Sequence, residues 1–223
     1  MSTRPMGLRE LKKRQTRETI SHQATRLFLE RGFDHVTIAE VAVAAQVAKM
    51  TVTNYFPRKE DLALDMHDVF VRLPAQTVRE RGPGESALAA LHRAYLSAVA
   101  DQDPVIGFSG PEFARMIVES PALTARLREF HDDREKALAA VLAEETDADP
   151  DDITPRVAAA QLAAVHRLLF EETLHRTVQG HDNDDISRTL TEHARTAFGS
   201  LEPSLADYAI REEHTSPPPG SPM

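Results

Sequence analysis

The stretch "TIAEVAVAAQVAKMTVTNYF", Thr37–Phe56, decides how the rest of the chain is read. Its first half has the marks of a short helix. Thr37 is a good N-cap, and Glu40 three residues later completes a capping box, in which each residue satisfies a backbone donor of the other. Ile38, Val41 and Ala45 can face inward, and the small Ala42 and Ala44 allow close helix packing. A break near Gln46 leads to the second half, where Val47, Val52 and Phe56 can pack back on the first helix. Lys49, Met50, Thr53 and Asn54 then point mostly outward. Thr51, Thr53 and Asn54 are middling or poor helix formers, so packing, not propensity, must hold this second helix. Its free face carries donors, acceptors, a methyl-bearing Thr pair and a flexible Met. The layout is that of a helix-turn-helix, and those groups suit base edges and phosphates in a DNA major groove.

Helical periodicity extends outward from this motif. Ile20, Ala24, Leu27 and Phe28 share one face of a first helix, and Gly32 reads as its C-terminal cap. Leu62, Met66, Val69, Phe70 and Leu73 form a similar face after Pro57, and Leu88, Leu91, Tyr95 and Val99 another after "GPG" at Gly82–Gly84. Pro, Asp, Asn, Gly and Ser cluster at "DQDP" (101–104), "SGP" (109–111), "SP" (120–121), "TDADPDD" (146–152) and "GHDNDD" (180–185), marking helix stops and starts. They predict helices near 111–119, 121–145, 154–179 and 184–199, and a short one near 203–210. No long stretch alternates with period two. The fold class is therefore all-α, with about nine helices. A three-helix head carrying the helix-turn-helix spans 1–57, and a larger helical bundle spans 58–210. The end, "REEHTSPPPGSPM" (211–223), has little to bury and reads as a disordered tail.

Charge separates the same two parts. The 223-residue chain has a net charge of −9, but residues 1–61 hold 11 Lys+Arg against 7 Asp+Glu, a balance of +4, which leaves −13 for the rest. A basic head on an acidic body approaches a polyanion with one face only; the plainer alternative is acidic helices that simply face solvent. Cys is absent, which excludes disulfides and thiolate metal sites and fits a reducing cytoplasm. No apolar run reaches the roughly 18 residues of a membrane span, and the N-terminus lacks the apolar core of a signal peptide. The 10 His residues are scattered without an HExxH pattern, and "TDADPDDIT" lacks the Gly and terminal Glu of a calcium loop. No metal and no cofactor are expected. There is no Gly-rich phosphate loop and no GxSxG, so an enzyme is not expected either.

The spaced elements "GLRELKKRQTRETISHQATRLFLERGFDHVT", "TIAEVAVAA", "KMTVTNYF" and "PRKEDL" together resemble the TetR family of bacterial transcriptional regulators, over about residues 7–66. The resemblance implies phosphate contacts by Thr37, Tyr55 and Lys59. It implies that Lys49, Met50, Thr51, Thr53 and Asn54 approach bases or nearby backbone. Arg9, Lys12, Lys13, Arg14 and Arg17 would reach the DNA backbone or minor groove. Each has a plainer alternative: Thr51 bonding within its helix, Lys59 pairing with a carboxylate, the basic run a solvated arm. Three positions depart from the family pattern. Gln46 stands where Gly is common; in a left-handed conformation it costs roughly 1 kcal/mol. Ala48 replaces the usual Ser or Thr cap, a loss of about 1 kcal/mol. Thr53 stands where Tyr is frequent. The first two changes point to a marginal recognition helix that orders fully on DNA.

The resemblance also implies a homodimer on a palindromic operator, joined through the last two long helices, here 156–178 and 186–201. Ala158, Ala159, Leu162, Ala163, Leu169 and Leu190 are then interface candidates, unless those faces pack only within their own subunit. The family's body usually holds a pocket whose ligand releases DNA. Tyr95, Phe108, Phe113, Met116, Phe130, His166 and Phe170 are candidate lining residues, with plain core as the alternative, and a small apolar or amphipathic effector would suit them. The resemblance thus implies a repressor released by its ligand; the rival reading is a regulator whose body binds a protein partner and no small molecule.

Overall fold

In the computed structural model, which describes residues 7–212, the chain runs α1 (Leu8–Arg31), a 3-10 turn (Phe33–His35), α2 (Ile38–Ala44), α3 (Lys49–Tyr55), α4 (Glu60–Ala63), α5 (His67–Arg79) and α6 (Ala87–Ala100). A second 3-10 turn (Pro104–Ile106) precedes α7 (Pro111–Glu119), α8 (Pro121–Glu145), α9 (Thr154–Val178), α10 (Asn183–Gly199) and α11 (Glu202–Leu205). No strand occurs among the described residues. The residues group into two compact units, one running up to His67 and including 110–129, the other built from 68–109 and from 130 onward. The sequence boundary lay at residue 57; the first unit continues ten residues further and adds α7 and the start of α8, which sequence reading assigned to the body.

In the first unit, α1 buries Ile20, Ala24 and Phe28 at four-residue spacing. Gly32 (φ 85) ends it, donating its N–H to the Phe28 carbonyl at 2.8 Å. The turn that follows sets Phe33 against Phe28, ring centroids 5.0 Å apart. Thr37 caps α2 in the expected capping box with Glu40. Val41, Ala42, Ala45, Val52 and Phe56 are all buried, so α2 and α3 hold each other as anticipated. Arg126, near the start of α8, bonds Asp61 at 2.8 Å, and Arg58 bonds Glu129 at 2.7 Å. These pairs fasten 110–129 to the segment after the helix-turn-helix.

In the second unit, α10 packs on both α9 and α6. Its Ile186, Leu190, Ala194 and Phe198 are fully buried, beside Leu91, Tyr95 and Val99 of α6 and Ala158, Ala159 and Leu162 of α9. Each large apolar side chain taken from water contributes about 1.5–3 kcal/mol. Gly107 (φ 104) follows the second 3-10 turn and lies against α9, where an added Cβ would meet Thr173 Cβ at 3.1 Å and the Phe170 carbonyl oxygen at 3.3 Å. Arg81 is buried but fully used: it donates to the carbonyls of Val78 (2.6 Å) and Ala209 (3.0 Å) and pairs with Glu145.

Three expectations change here. Met66 and Val69 do not join a buried face; they are 41% and 50% exposed. The chain leaves helical geometry at Leu64 (φ −103, ψ 55), so α4 and α5 are separate helices and one periodic face does not run through both. The short helix expected at 203–210 is only α11, followed by turns. Arg211, read as the start of a tail, is tied into the second unit. Its backbone bonds Gly84 and Glu85, and its guanidinium donates to the Arg79 and Arg81 carbonyls at 2.8 and 2.7 Å. The remainder of that segment, 213–223, lies outside the described residues.

Candidate nucleic-acid interface and body pocket

The turn between α2 and α3 is tight. Gln46 is left-handed (φ 56), and Val47 N–H donates to the Ala42 carbonyl at 3.0 Å. Ala48 occupies the N-cap of α3 and, having no side-chain acceptor, makes no cap bond. Both departures seen in the sequence thus fall on the entry to this helix. Its outward face is Lys49, Met50 and Asn54, all exposed, Met50 at 70%. Thr51, Thr53 and Tyr55 are half-buried. Thr53, not Thr51, turns its hydroxyl inward along the helix, donating to the Met50 carbonyl at 3.1 Å. Arg14 is exposed, 3.5 Å from Glu18.

Three residues expected to meet DNA are engaged within the chain. Thr37 donates both its N–H and its hydroxyl to Glu40 Oε2, each at 2.8 Å. Glu40 also accepts from Arg31 at 2.7 Å, and the Thr37 backbone bond followed by Arg31 holds the Glu40 carboxyl down at about 2. Lys59 sets its ammonium 4.3 Å from the Phe33 ring centroid and 5.8 Å from that of Phe28. Burial lowers the Lys59 pKa, while Asp34, Glu60 and Glu40 pull it the other way. Arg17 lies over the Phe56 ring at 4.4 Å and donates to the carbonyls of Tyr55 and Asp65. It is a strut from α1 to the end of α3, whereas sequence reading gave it to the basic arm.

The body candidates divide. Phe113 and Met116 belong to α7 in the first unit, where Met116 lines an open groove of about 440 Å³ with Phe28, Phe33, Arg115 and Glu119. In the second unit Tyr95 and His166 line a cavity of about 300 Å³, with Leu73, Leu91, Ile106 and Arg134. Phe108, Phe130 and Phe170 are buried away from that wall. Phe170 instead stacks edge-on with Phe70 and His131, at 5.7 and 5.6 Å. Of the seven lining candidates, only Tyr95 and His166 reach this cavity.

Arg134 was missed by the sequence reading. It is 4% exposed, with its guanidinium 4.7 Å from the Phe70 ring centroid. Among the described residues it has no carboxylate partner and no hydrogen bond. Burial lowers its pKa to about 10, and only Tyr95 opposes that. Burial first, then Arg134, drives the ring of His166 down to about 3 and that of His131 down to about 4, so both are neutral at pH 7. The His166 ring bonds the Leu162 carbonyl through Nδ1 at 2.9 Å. The Tyr95 hydroxyl is buried without a well-formed hydrogen bond; burial raises its pKa, and the neighbouring Thr173 hydroxyl and Arg134 pull it down only in part. An unpaired buried cation costs on the order of several kcal/mol. The sequence carried a signal: Phe130, Arg134, Leu138 and Val141 recur at helical spacing, with one charge inside an apolar stripe.

The interface candidates need correction. Ala158, Ala159, Leu162, Leu169 and Leu190 are at most 4% exposed within their own chain, so no surface of theirs is left for a partner; only Ala163 is half-exposed. They form the side of α9 and α10 that faces their own core. The opposite side of α9 bears Val157 (47% exposed), Ala160 and Leu168 (59%). Among the described residues no cluster of three or more His, Asp or Glu is arranged to hold a metal, and no helix is long and apolar enough to cross a membrane.

A short helix presented by a tight turn, with polar and charged groups on its free face, defines a helix-turn-helix DNA-binding protein. Residues 20–66 match the bacterial regulatory proteins, tetR family, and residues 85–205 match the MftR C-terminal domain. The chain belongs to the TetR family of transcriptional regulators. It is 30% identical over 209 residues to the HTH-type transcriptional regulator TcmR of Streptomyces glaucescens, covering 91% of this chain and 90% of that one. NalD of Pseudomonas aeruginosa, the secondary repressor of the MexAB-OprM multidrug efflux pump, is similar in structure. It has a TM-score of 0.52 and 25% identity over 83% of this chain and 96% of that one. SmeT, solved with triclosan, shares the fold at a TM-score of 0.54 and 15% identity, over 94% of this chain and 100% of that one.

Proposed function

We propose that this regulator is a cytoplasmic repressor that binds a palindromic operator as a homodimer and leaves it when a small apolar or amphipathic molecule occupies the second unit. The observation that carries the DNA half is the free face of α3, with Lys49, Met50 and Asn54 exposed on a helix anchored by buried Val52 and Phe56. NalD's role as a repressor supports the direction of control. The partly open cavity of about 300 Å³ beside Tyr95 and His166 favours a small effector over a protein partner, because its size lies within the range of small-ligand sites.

In this reading Asn54 recognises a base, with Lys49, Met50, Thr51 and Thr53 beside it, while Tyr55 and Arg14 meet phosphates. Thr37 joins the backbone contacts only by giving up its bonds to Glu40, whereas Lys59, over the Phe33 ring, keeps N–H donors free for a phosphate. The test uses a duplex selected from a random pool and a scrambled control, titrated at several salt concentrations. Asn54→Ala is expected to weaken the selected duplex by about 1–3 kcal/mol and the control far less, because a bidentate Asn–adenine pair discriminates by that amount. The salt slope should be about 0.9 per phosphate neutralised. Equal losses on both duplexes would reassign Asn54 to the backbone, and full-strength binding by a monomer would sink the dimer.

A further inference from the structure

The second unit contains two buried arginines with opposite circumstances. Arg81 has a carboxylate and two carbonyls within hydrogen-bond reach. Arg134, on α8, is equally buried and has none of these among the described residues. Its one neighbour of note is the face of Phe70. It borders the cavity of about 300 Å³, as does Tyr95, whose hydroxyl is buried and unbonded. A guanidinium and a hydroxyl, both donors and neither with a well-formed hydrogen bond among the described residues, thus border one space walled by Leu73, Leu91 and Ile106. Such a fork matches the two oxygens of a carboxylate.

We propose that the cavity binds a small carboxylic acid on an apolar frame, with its carboxylate paired to Arg134 and accepting from the Tyr95 hydroxyl. This rests on the effector reading above and names the chemistry of that effector. A single negative charge is specified from both ends. Asp101 and Asp103 also border the cavity, with Asp101 exposed and Asp103 accepting from Val105 N–H. They would repel a ligand carrying phosphates or several carboxylates. Arg93, the other cation there, is already held by Glu85 at 2.8 Å. The neutral rings of His131 and His166 leave Arg134 as the one buried positive charge facing this space among the described residues. The volume lies at the small end of ligand pockets, about 300–1,000 Å³.

The experiment compares 4-phenylbutanoate and octanoate with their methyl esters and the matching alcohols, by calorimetry on the full-length protein at pH 7. The acids are expected to bind at least about tenfold tighter than their esters, a difference of about 1.4 kcal/mol. Arg134→Met should erase that preference while leaving ester binding intact, and Tyr95→Phe should reduce it. Arg134→Met should also raise the Tm of the free protein, because it replaces an unpaired buried charge with an apolar chain. A lower Tm with an unchanged far-ultraviolet spectrum would mark Arg134 as a structural post and overturn the proposal. Should that variant fail to fold, Arg134→Gln with the same ligand pairs, and the wild-type acid-to-ester ratio itself, still decide. Esters that bind and release DNA as well as the acids overturn the carboxylate site and leave the effector reading standing. If no acid, ester or alcohol binds, both fall.

Discussion

At Gly107 a hydrogen in place of a methyl group decides how closely the connection after α6 approaches α9. The backbone there is left-handed (φ 104), and the nearest atoms of Thr173 and Phe170 leave 3.1–3.3 Å for a Cβ. Gly107→Ala is therefore strained twice, by its own conformation and by a backbone carbonyl that has no freedom to move. It should cost about 2 kcal/mol, read as a lower midpoint in urea with an unchanged slope. A neutral result would mean that this connection shifts away from α9 at no cost. Arg134 is the other residue at which one atom group sets the chemistry. Its place inside an apolar stripe was legible in the sequence; that its charge has no partner among the described residues was not, because partners come from other helices.

At the scale of the element, α3 has seven residues, no side-chain cap and a left-handed Gln46 before it. Propensity and capping both oppose it, and Val52 packed into the head holds it. Gln46→Gly and Ala48→Ser should each stabilise the helix, by about 1 kcal/mol. Amide hydrogen exchange in α3 should slow about fivefold for each. If ordering of this helix is completed only on DNA, both variants should also bind the selected duplex tighter. Slower exchange with unchanged affinity would show that the free helix is already fully formed. Sequence reading located this element closely, because its cap, its turn and its inward residues all lie within twenty positions of one another.

For the whole molecule, the proposed homodimer would use the exposed stripe Val157, Ala160 and Leu168 on α9, because the inward face is spent on the chain's own core. We expect Leu168→Glu to give a monomer by sedimentation, with its helical content kept. In the proposed dimer two linked heads would read half-sites about 34 Å apart and one head only half the site, so the monomer's operator affinity should fall to that for random DNA. A monomer that keeps operator affinity, or a dimer unaffected by the change, would place the interface elsewhere. The charge asymmetry acts at this scale too. The basic head carries the helix-turn-helix, and an acidic remainder is expected to repel a polyanion from the other surfaces.

The sequence alone determined the all-α class, the limits of nearly every long helix and three of the four residues it turned outward on α3, Lys49, Met50 and Asn54; Thr53 is half-buried. Helical periodicity, caps and breakers act between residues a few positions apart, so they are written in order along the chain. The tertiary structure decided which face of α9 is core and which is free, that 110–129 cluster with the head, and that Arg17 and Lys59 lie over aromatic rings. It also left Arg134 without a counter-ion among the described residues. An Ala-rich helix such as α9 is apolar nearly all round, and a cation on a long flexible stem reaches a phosphate or a ring equally well. Periodicity cannot separate those choices; they are settled by which distant segment arrives beside them.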